Sequence, residues 1–175
     1  MIWLKRIAML LAGLLLVAVT TLLAMGSRQE AGRVSGSIEI NRPPEVVWKW
    51  LCEPELQKRW VGWLKEVEVV NDKRVVWIME DPNAKGAGLR IPFDTTEMVP
   101  NKRLSGNTTI EGAFSGSATY VLEDLGGGKT RCSLDSKYSY HQWFARLLEP
   151  VVSREADRKA GEDLARLKRL IEQNN

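Results

Sequence analysis

Residues 140–175 read YHQWFARLLEPVVSREADRKAGEDLARLKRLIEQNN, and this stretch decides the fold. After Pro150, apolar residues recur at steps of four, four, three and four, which places them on one face of an α-helix. A second apolar group precedes the proline and does not continue that face. The sequence therefore predicts a long C-terminal helix with a kink at Pro150. The residues on its apolar face are Ala156, Ala160, Leu164, Leu167 and Ile171.

The chain before this helix is dominated by strands. Residues 34–40 alternate between apolar and polar side chains, as a half-buried strand does. Two short helices follow at 45–52 and 55–60, and about six further strands occupy residues 66–140. Pro92 cannot donate a backbone hydrogen bond, so its strand is predicted to be an edge strand or to carry a bulge. Strands joined by short turns predict an antiparallel meander, which the long helix covers on one face.

The N-terminus carries a long uncharged segment. Residues 7–25 contain no charged side chain, and a helix of that length spans about 28 Å, close to the thickness of a bilayer's hydrocarbon core. The prediction is a membrane anchor at 1–26, and a cleaved signal peptide is the alternative. Lys5 and Arg6 precede the segment, which favours a cytoplasmic N-terminus and an extracytoplasmic soluble domain. A tether at 27–33 and a single domain at 34–175 complete the predicted organisation.

Composition excludes several classes of function. The chain has 175 residues, of which 44% are hydrophobic and 27% charged, and its net charge is +3. Lys5 and Arg6 are the only charged residues before position 27, so the domain itself is almost neutral. A nucleic-acid-binding protein would require a basic face. Two cysteines and one histidine are too few for a zinc site of the Cys/His type, and no metal or cofactor is predicted.

Several short motifs resemble a known family. They are the strand and helix of 38–51, the Glu53-Pro54 break, Trp60 and the valine-rich strand of 67–70. With the order strand, two helices, strands and long helix, they resemble the helix-grip fold of the SRPBCC or START-like superfamily, in its polyketide cyclase/dehydrase and lipid-transport branch. The resemblance covers residues 34–175. It implies an α+β fold in which a curved antiparallel sheet of about seven strands grips the C-terminal helix around an apolar cavity.

Aromatic side chains are the candidate ligand-binding residues. A cavity in this family commonly holds lipids, sterols, polyketides, quinones or other hydrophobic ligands, and aromatic rings supply large apolar surfaces with a few polar tips. Simple core packing is the competing interpretation for each of them. The residues at positions predicted to face the sheet interior or the helix are Trp60, Trp77, Phe93, Tyr120, Tyr138 and Phe144.

Candidates for acid–base chemistry are few. His141, the only histidine, falls where the last strand meets the helix, and a residue there caps or packs a helix start more often than it acts as a base. Asp94, Glu97 and Asp135 lie on or near strands, where the alternation predicts that they face water. No catalytic residue is therefore predicted.

Two further patterns have ordinary structural interpretations. Cys52 and Cys132 can pair if the domain lies outside the cytoplasm, but two free, mostly buried thiols are favoured. The segment at 126–130 ends in Gly-Lys-Thr like a phosphate-binding loop. A strand follows it where that motif needs a helix, so a hairpin turn is predicted instead.

The leading hypothesis is a single-pass membrane protein that holds a hydrophobic small molecule or lipid in its cavity, with its membrane contact through residues 7–25. One alternative is a cyclase- or dehydratase-like enzyme acting on an aromatic or polyketide substrate, which needs a buried polar pair in the cavity. Another is a cavity-poor interaction domain that docks a membrane partner. The interior of the fold distinguishes the three hypotheses. Binding requires an apolar cavity, catalysis requires a cavity with a convergent histidine or carboxylate pair, and an interaction domain requires a filled interior.

Overall fold

The structure is a computed structural model that describes residues 2–26, 32–80, 88–147 and 149–174. The predicted loop at 81–88 and tether at 27–33 fall mostly outside these ranges. The described elements follow the predicted order of a strand, two short helices, further strands and a C-terminal helix. They are α1 (Ile2–Gly26), β1 (Arg33–Ile40), α2 (Pro44–Cys52), α3 (Pro54–Trp60), β2 (Leu64–Asn71), β3 (Arg74–Met79), β4 (Leu89–Val99), β5 (Arg103–Ile110), β6 (Phe114–Gly126), β7 (Lys129–Tyr140), α4 (Trp143–Leu147) and α5 (Glu149–Gln173).

The strands form one antiparallel sheet in the order β1-β7-β6-β5-β4-β3-β2. This confirms the predicted seven-stranded meander, with β1 added beside β7 at one edge. The β6–β7 hairpin closes at residues 126–128, and all three glycines have positive φ angles of 77°, 61° and 73°. Such angles are sterically easy only for glycine, so the glycine run is hairpin chemistry, as predicted.

Strand β4, which contains Pro92, was predicted to be an edge strand or to carry a bulge, and the structure shows the bulge and not the edge. The strand lies inside the sheet between β5 and β3, and Pro92 is opposite Val76 of β3. Its pairing with β5 runs only from Asp94 to Val99, and a bulge follows Thr95. Pro92 therefore lies in the part of β4 that pairs on one side, where a missing N–H is tolerated.

The C-terminal helical region is described in two parts. Helix α4 covers Trp143–Leu147 and helix α5 covers Glu149–Gln173. Residue 148 lies outside the described ranges, so the kink predicted at Pro150 stays a prediction.

Helix α5 packs against β1 and the two short helices. Leu164 is 3% exposed, and Leu167 and Ile171 are fully buried, which confirms the apolar face predicted for this half of the helix. Close approach depends on Gly36 of β1, because a Cβ there would lie 3.1 Å from Leu164 Cδ1. Together with side chains from β1, α2, β6 and β7, this half of α5 forms a solid core: Ile40, Val47, Leu51, Leu122 and Cys132.

The N-terminal helix α1 contacts α4 and exposes its apolar side chains, among them Leu10, Leu14 and Leu15. Among the residues that the structure describes, no helix was found to meet the combined length and hydropathy required to cross a membrane. This finding does not support the predicted span at 7–25, which stays a prediction.

The convex face of the sheet is covered by ion pairs. Asp94 accepts two hydrogen bonds from Arg74, at 2.6 and 2.8 Å, and Asp135 accepts two from Arg33, at 2.7 and 3.0 Å. The hydrogen-bonding arginines lower the pKa of both carboxyls. Glu97 lies 3.9 Å from Arg103. These three acids face the outside, as predicted, and do not enter the interior.

Both cysteines are free, with Cys132 buried and Cys52 half-buried. Burial disfavours the thiolate and raises the pKa of Cys132 to about 12 and that of Cys52 to about 11. The thiolate is the form that reacts with alkylating agents.

We expect iodoacetamide at pH 8 to leave both thiols of the folded protein unmodified while it fully modifies a cysteine peptide. At that pH roughly one Cys52 thiol in a thousand is ionised, and the ionised fraction of Cys132 is smaller still. Unfolding in guanidinium removes the burial, so both thiols then react, and intact mass reports the number of adducts. Rapid modification of Cys132 in the folded state would contradict this placement.

Candidate functional site: a cavity between the sheet and the C-terminal helix

A cavity of about 630 Å³ lies between the concave face of the sheet and the N-terminal half of α5. This volume is within the range of small-molecule sites in proteins. Its wall is mostly apolar and draws on strands β1 and β3 to β7 as well as α3 and α5. Leu89 and Val152 line the cavity and are 52% and 37% exposed, so it opens to the outside near these residues.

The cavity exists because small residues face one another where larger ones would fill the space. Ala118 and Ser136 are opposite each other across β6 and β7, and both line the cavity. On the helix, Ala156 and Ala160 occupy the apolar face two turns and one turn before Leu164, respectively. The leucines of this helical face therefore pack in the solid core, and its alanines line the cavity.

Four aromatic rings form one end of the wall. Trp77 stacks on Phe93 with ring centroids 5.1 Å apart, and Trp60 meets Tyr120 edge-on at 6.3 Å. Gly106 leaves room for this arrangement, because a Cβ there would lie 2.2 Å from Phe93 Cζ. Trp60 is fixed further by an indole N–H that donates to the Trp50 carbonyl at 3.0 Å.

Five of the six aromatic residues predicted from the sequence lie in this wall. Trp60, Trp77, Phe93 and Tyr120 form its aromatic end, and Tyr138 lies on β7. Their contact with a ligand stays a prediction.

Phe144 is the exception among the predicted residues. Its side chain is 53% exposed and meets Trp143 edge-on at 6.3 Å, on the short helix α4. The sequence analysis placed Phe144 among positions facing the sheet interior or the helix, whereas its ring is not among the side chains of the cavity wall.

The phenols of the wall are neutral groups. Burial raises the pKa of Tyr120, and the nearby Cys132 and Asp163 add to the effect. Burial likewise raises the pKa of Tyr138 and Tyr140. A phenol with a raised pKa stays protonated near neutral pH, where it can donate a hydrogen bond but does not serve as a base.

A charged cluster at one corner of the cavity was missed in the sequence analysis. Asp163 is 8% exposed and accepts hydrogen bonds from Lys159 Nζ at 2.8 Å, from the Gly62 N–H at 2.9 Å and from Arg166 at 3.3 Å. Arg166 also donates to the Trp60 carbonyl at 3.0 Å. The signal that could have revealed it is an acid directly beside the apolar stripe, with bases three and four residues away on the helix.

His141 lies outside the cavity wall. It is exposed at the end of β7, and its Nε2 is 3.3 Å from Ser115 Oγ. Its backbone N–H donates to the Ala113 carbonyl at 2.9 Å, and its own carbonyl accepts from Arg146 at 3.4 Å. It therefore joins β7 to the start of α4, which agrees with the packing role predicted for it. Within the described ranges, no three His, Cys, Asp or Glu side chains gather as metal ligands would.

With the cavity in place, comparison with known proteins becomes informative. A family model described as polyketide cyclase / dehydrase and lipid transport matches residues 31–172. The chain belongs to this family. The match confirms the SRPBCC resemblance and spans every described element from β1 to α5. A search of curated proteins found no match.

Several solved structures share the fold. A protein from Deinococcus radiodurans is 22% identical, with a TM-score of 0.61 and coverage of 82% of this chain and 99% of that one. A START superfamily protein from Mycobacterium smegmatis is 15% identical, with a TM-score of 0.60 and coverage of 81% and 95%. The di-domain ARO/CYC protein BexL is 18% identical, with a TM-score of 0.62 and coverage of 80% and 46%. At these identities the likeness establishes the fold alone.

Proposed function

We propose that this protein binds a hydrophobic small molecule or lipid in the cavity beneath α5. The observation that carries the proposal is a cavity of about 630 Å³ with a largely apolar wall, in a chain of this family. Removing apolar ligand surface from water is the driving force, at about 25 cal/mol per Å² buried. Neutral phenols and stacked aromatic rings suit a ligand that is itself largely apolar.

The two alternatives have less support. A cavity-poor interaction domain requires a filled interior. An enzyme of the cyclase type requires a reactive polar pair directed into the cavity. Asp163 lies at the wall but is held by Lys159, Arg166 and Gly62, and His141 is outside. We therefore infer binding as the function and not catalysis.

Native mass spectrometry of the full-length protein, purified gently in detergent, tests the proposal. We expect an adduct that organic extraction releases and that re-addition of the extract restores. The protein stripped of ligand should then bind 1-dodecanol with one-to-one stoichiometry. A protein that carries no apolar molecule and binds no added apolar probe would overturn the proposed function.

We further propose that α1 anchors the protein in a membrane, with the sheet domain on the extracytoplasmic side. Support comes from the uncharged run at 7–25 and from exposed apolar side chains such as Leu14 and Val17, which are unfavourable in water. Helix α1 contacts α4, whose Trp143 is 60% exposed, and Val152 at the cavity opening follows α4 in the chain. This arrangement would hold the opening close to a bilayer, in which hydrophobic ligands dissolve.

We expect wild-type protein to float with vesicles and to resist carbonate extraction, and the double variant L14R/V17R to remain in the soluble fraction. Each arginine at the centre of a span costs about 2.5–3.5 kcal/mol on insertion scales. The matched control L14A/V17A should still float. Protease added outside sealed cells should remove the sheet domain. Carbonate release of the wild type would contradict the anchor, and full protection of the domain would contradict its orientation.

A further inference from the structure

The cavity wall is mostly apolar, although Thr108, Ser136 and Lys137 also line it. At one corner several charged groups converge on Gly62. A Cβ at Gly62 would lie 3.0 Å from Asp163 Oδ1, 3.3 Å from Lys159 Nζ and 3.4 Å from Arg166 Nη1. Lys159 and Asp163 are themselves part of the cavity wall, next to Trp60 and Val61. The corner therefore lies at the junction of α3 and α5, within the ligand site.

The charges at this corner do not cancel. One carboxylate, Asp163, faces two cations, Lys159 and Arg166, so the cluster carries one excess positive charge. The acid next to Asp163 in the chain, Glu162, is on the exposed side of α5 and pairs with Arg158. Partial burial strengthens the interaction of the excess charge with any anion that reaches it.

Lys159 retains capacity for another partner. An ammonium group has three N–H donors, and Asp163 accepts from Lys159 at 2.8 Å. The ammonium also lies 5.4 Å from the centroid of the Trp63 ring, which stabilises its charge without accepting a conventional hydrogen bond. Its side chain is 23% exposed, so it is neither sealed in the core nor free in bulk solvent.

Taken with the proposed function, on which this step rests, the geometry points to an amphipathic ligand with one anionic head group. We propose a long-chain carboxylate, whose apolar chain occupies the cavity between the sheet and the alanine face of α5. The carboxylate lies beside Lys159 at the Gly62 corner, where it accepts a charge-assisted hydrogen bond and neutralises the excess charge. A neutral ligand of the same length would leave that charge uncompensated.

The test compares dodecanoate with 1-dodecanol, which share a twelve-carbon chain and differ in the charge of the head. Equilibrium dialysis at pH 8, low ionic strength and sub-micellar concentration gives both affinities. We expect the carboxylate to bind about tenfold more tightly. We also expect that advantage to shrink with added salt, whereas the alcohol's affinity does not weaken.

Substitutions locate the effect. Lys159→Met should weaken dodecanoate about tenfold and leave 1-dodecanol within twofold, and Lys159→Arg should keep most of the preference. Lys168→Met is the matched control on the same helix, because Lys168 is outside the cavity wall and donates to the Glu39 carbonyl at 2.7 Å. Circular dichroism confirms that each variant is folded.

The outcomes separate the two proposals. Equal affinity of the wild type for the two probes, or an unchanged preference in folded Lys159→Met, would overturn the head-group assignment and leave the binding function intact. Failure of both probes to bind would overturn the binding function itself. If Lys159→Met does not fold, the salt dependence of dodecanoate binding by the wild type still tests the head-group assignment. A preference for dodecanoate that does not shrink with salt would overturn it.

Discussion

Replacing Ala160 with phenylalanine should abolish ligand binding, with an affinity loss of at least about tenfold, while the protein stays folded. Ala160 is on the cavity wall, on the face of α5 that points to the sheet. A phenyl ring there would occupy the space in which we place the ligand. Because the ring enters an existing void and replaces no packed side chain, the free energy of unfolding should change by less than the roughly 1–3 kcal/mol that overpacking of a filled core costs.

Ala165→Phe is the matched control, since Ala165 is on the same helix and exposed. Equilibrium dialysis with 1-dodecanol and thermal melting of both variants provide the readouts. We expect wild-type affinity from Ala165→Phe and loss of binding from Ala160→Phe. Undiminished binding by a folded Ala160→Phe protein would place the ligand elsewhere and count against the cavity as the site.

Replacing Asp163 with alanine should destabilise the protein by about 3 kcal/mol. Asp163 is the one acidic partner recorded for Lys159 and Arg166 in the described part of the chain, and it also accepts from the Gly62 N–H. Removing one member of a buried charge cluster leaves the others unpaired in a site of reduced polarity, which is more costly than loss of a surface ion pair. The effect should appear as a lower denaturant midpoint with an unchanged m-value.

Glu162→Ala is the control for this variant, because Glu162 is the neighbouring acid on the exposed side of α5 and pairs with Arg158. Surface ion pairs contribute about 0–1 kcal/mol, so its loss should shift the midpoint little. Asp163→Asn keeps an acceptor for the Gly62 N–H and should be intermediate. Equal effects of the alanine variants at 162 and 163 would show that the corner is not a buried cluster.

The predictions that succeeded rested on local periodicity. The steps of three and four from Ala156 to Ile171 predict the buried face of α5, and alternation predicts which strand residues face inward. Glycines 126–128 predict a hairpin because few other residues adopt their backbone angles. Strand alternation also placed Asp94 and Asp135 correctly on the outside of the sheet, where each forms an ion pair with an arginine.

The errors arose where two elements meet. Phe144 was predicted as a wall residue from the apolar group before Pro150, but its side chain is 53% exposed and lies outside the cavity wall. Pro92 predicted an edge strand or a bulge; β4 carries the bulge, but it is an interior strand that pairs on one side only at Pro92. A side-chain pattern reports the conformation of a segment, but it does not report where the segment ends against its neighbours.

The amino-acid sequence by itself determined the element order, the antiparallel meander, the buried face of the last helix and the family. All of these follow from short-range periodicity and turn chemistry. Only the tertiary structure decided that Ala118, Ser136 and Ala160 line a common void, and that Gly62 lies against Asp163. Those residues are far apart along the chain, and the volume between them depends on strand register and helix position, to which no local pattern is sensitive.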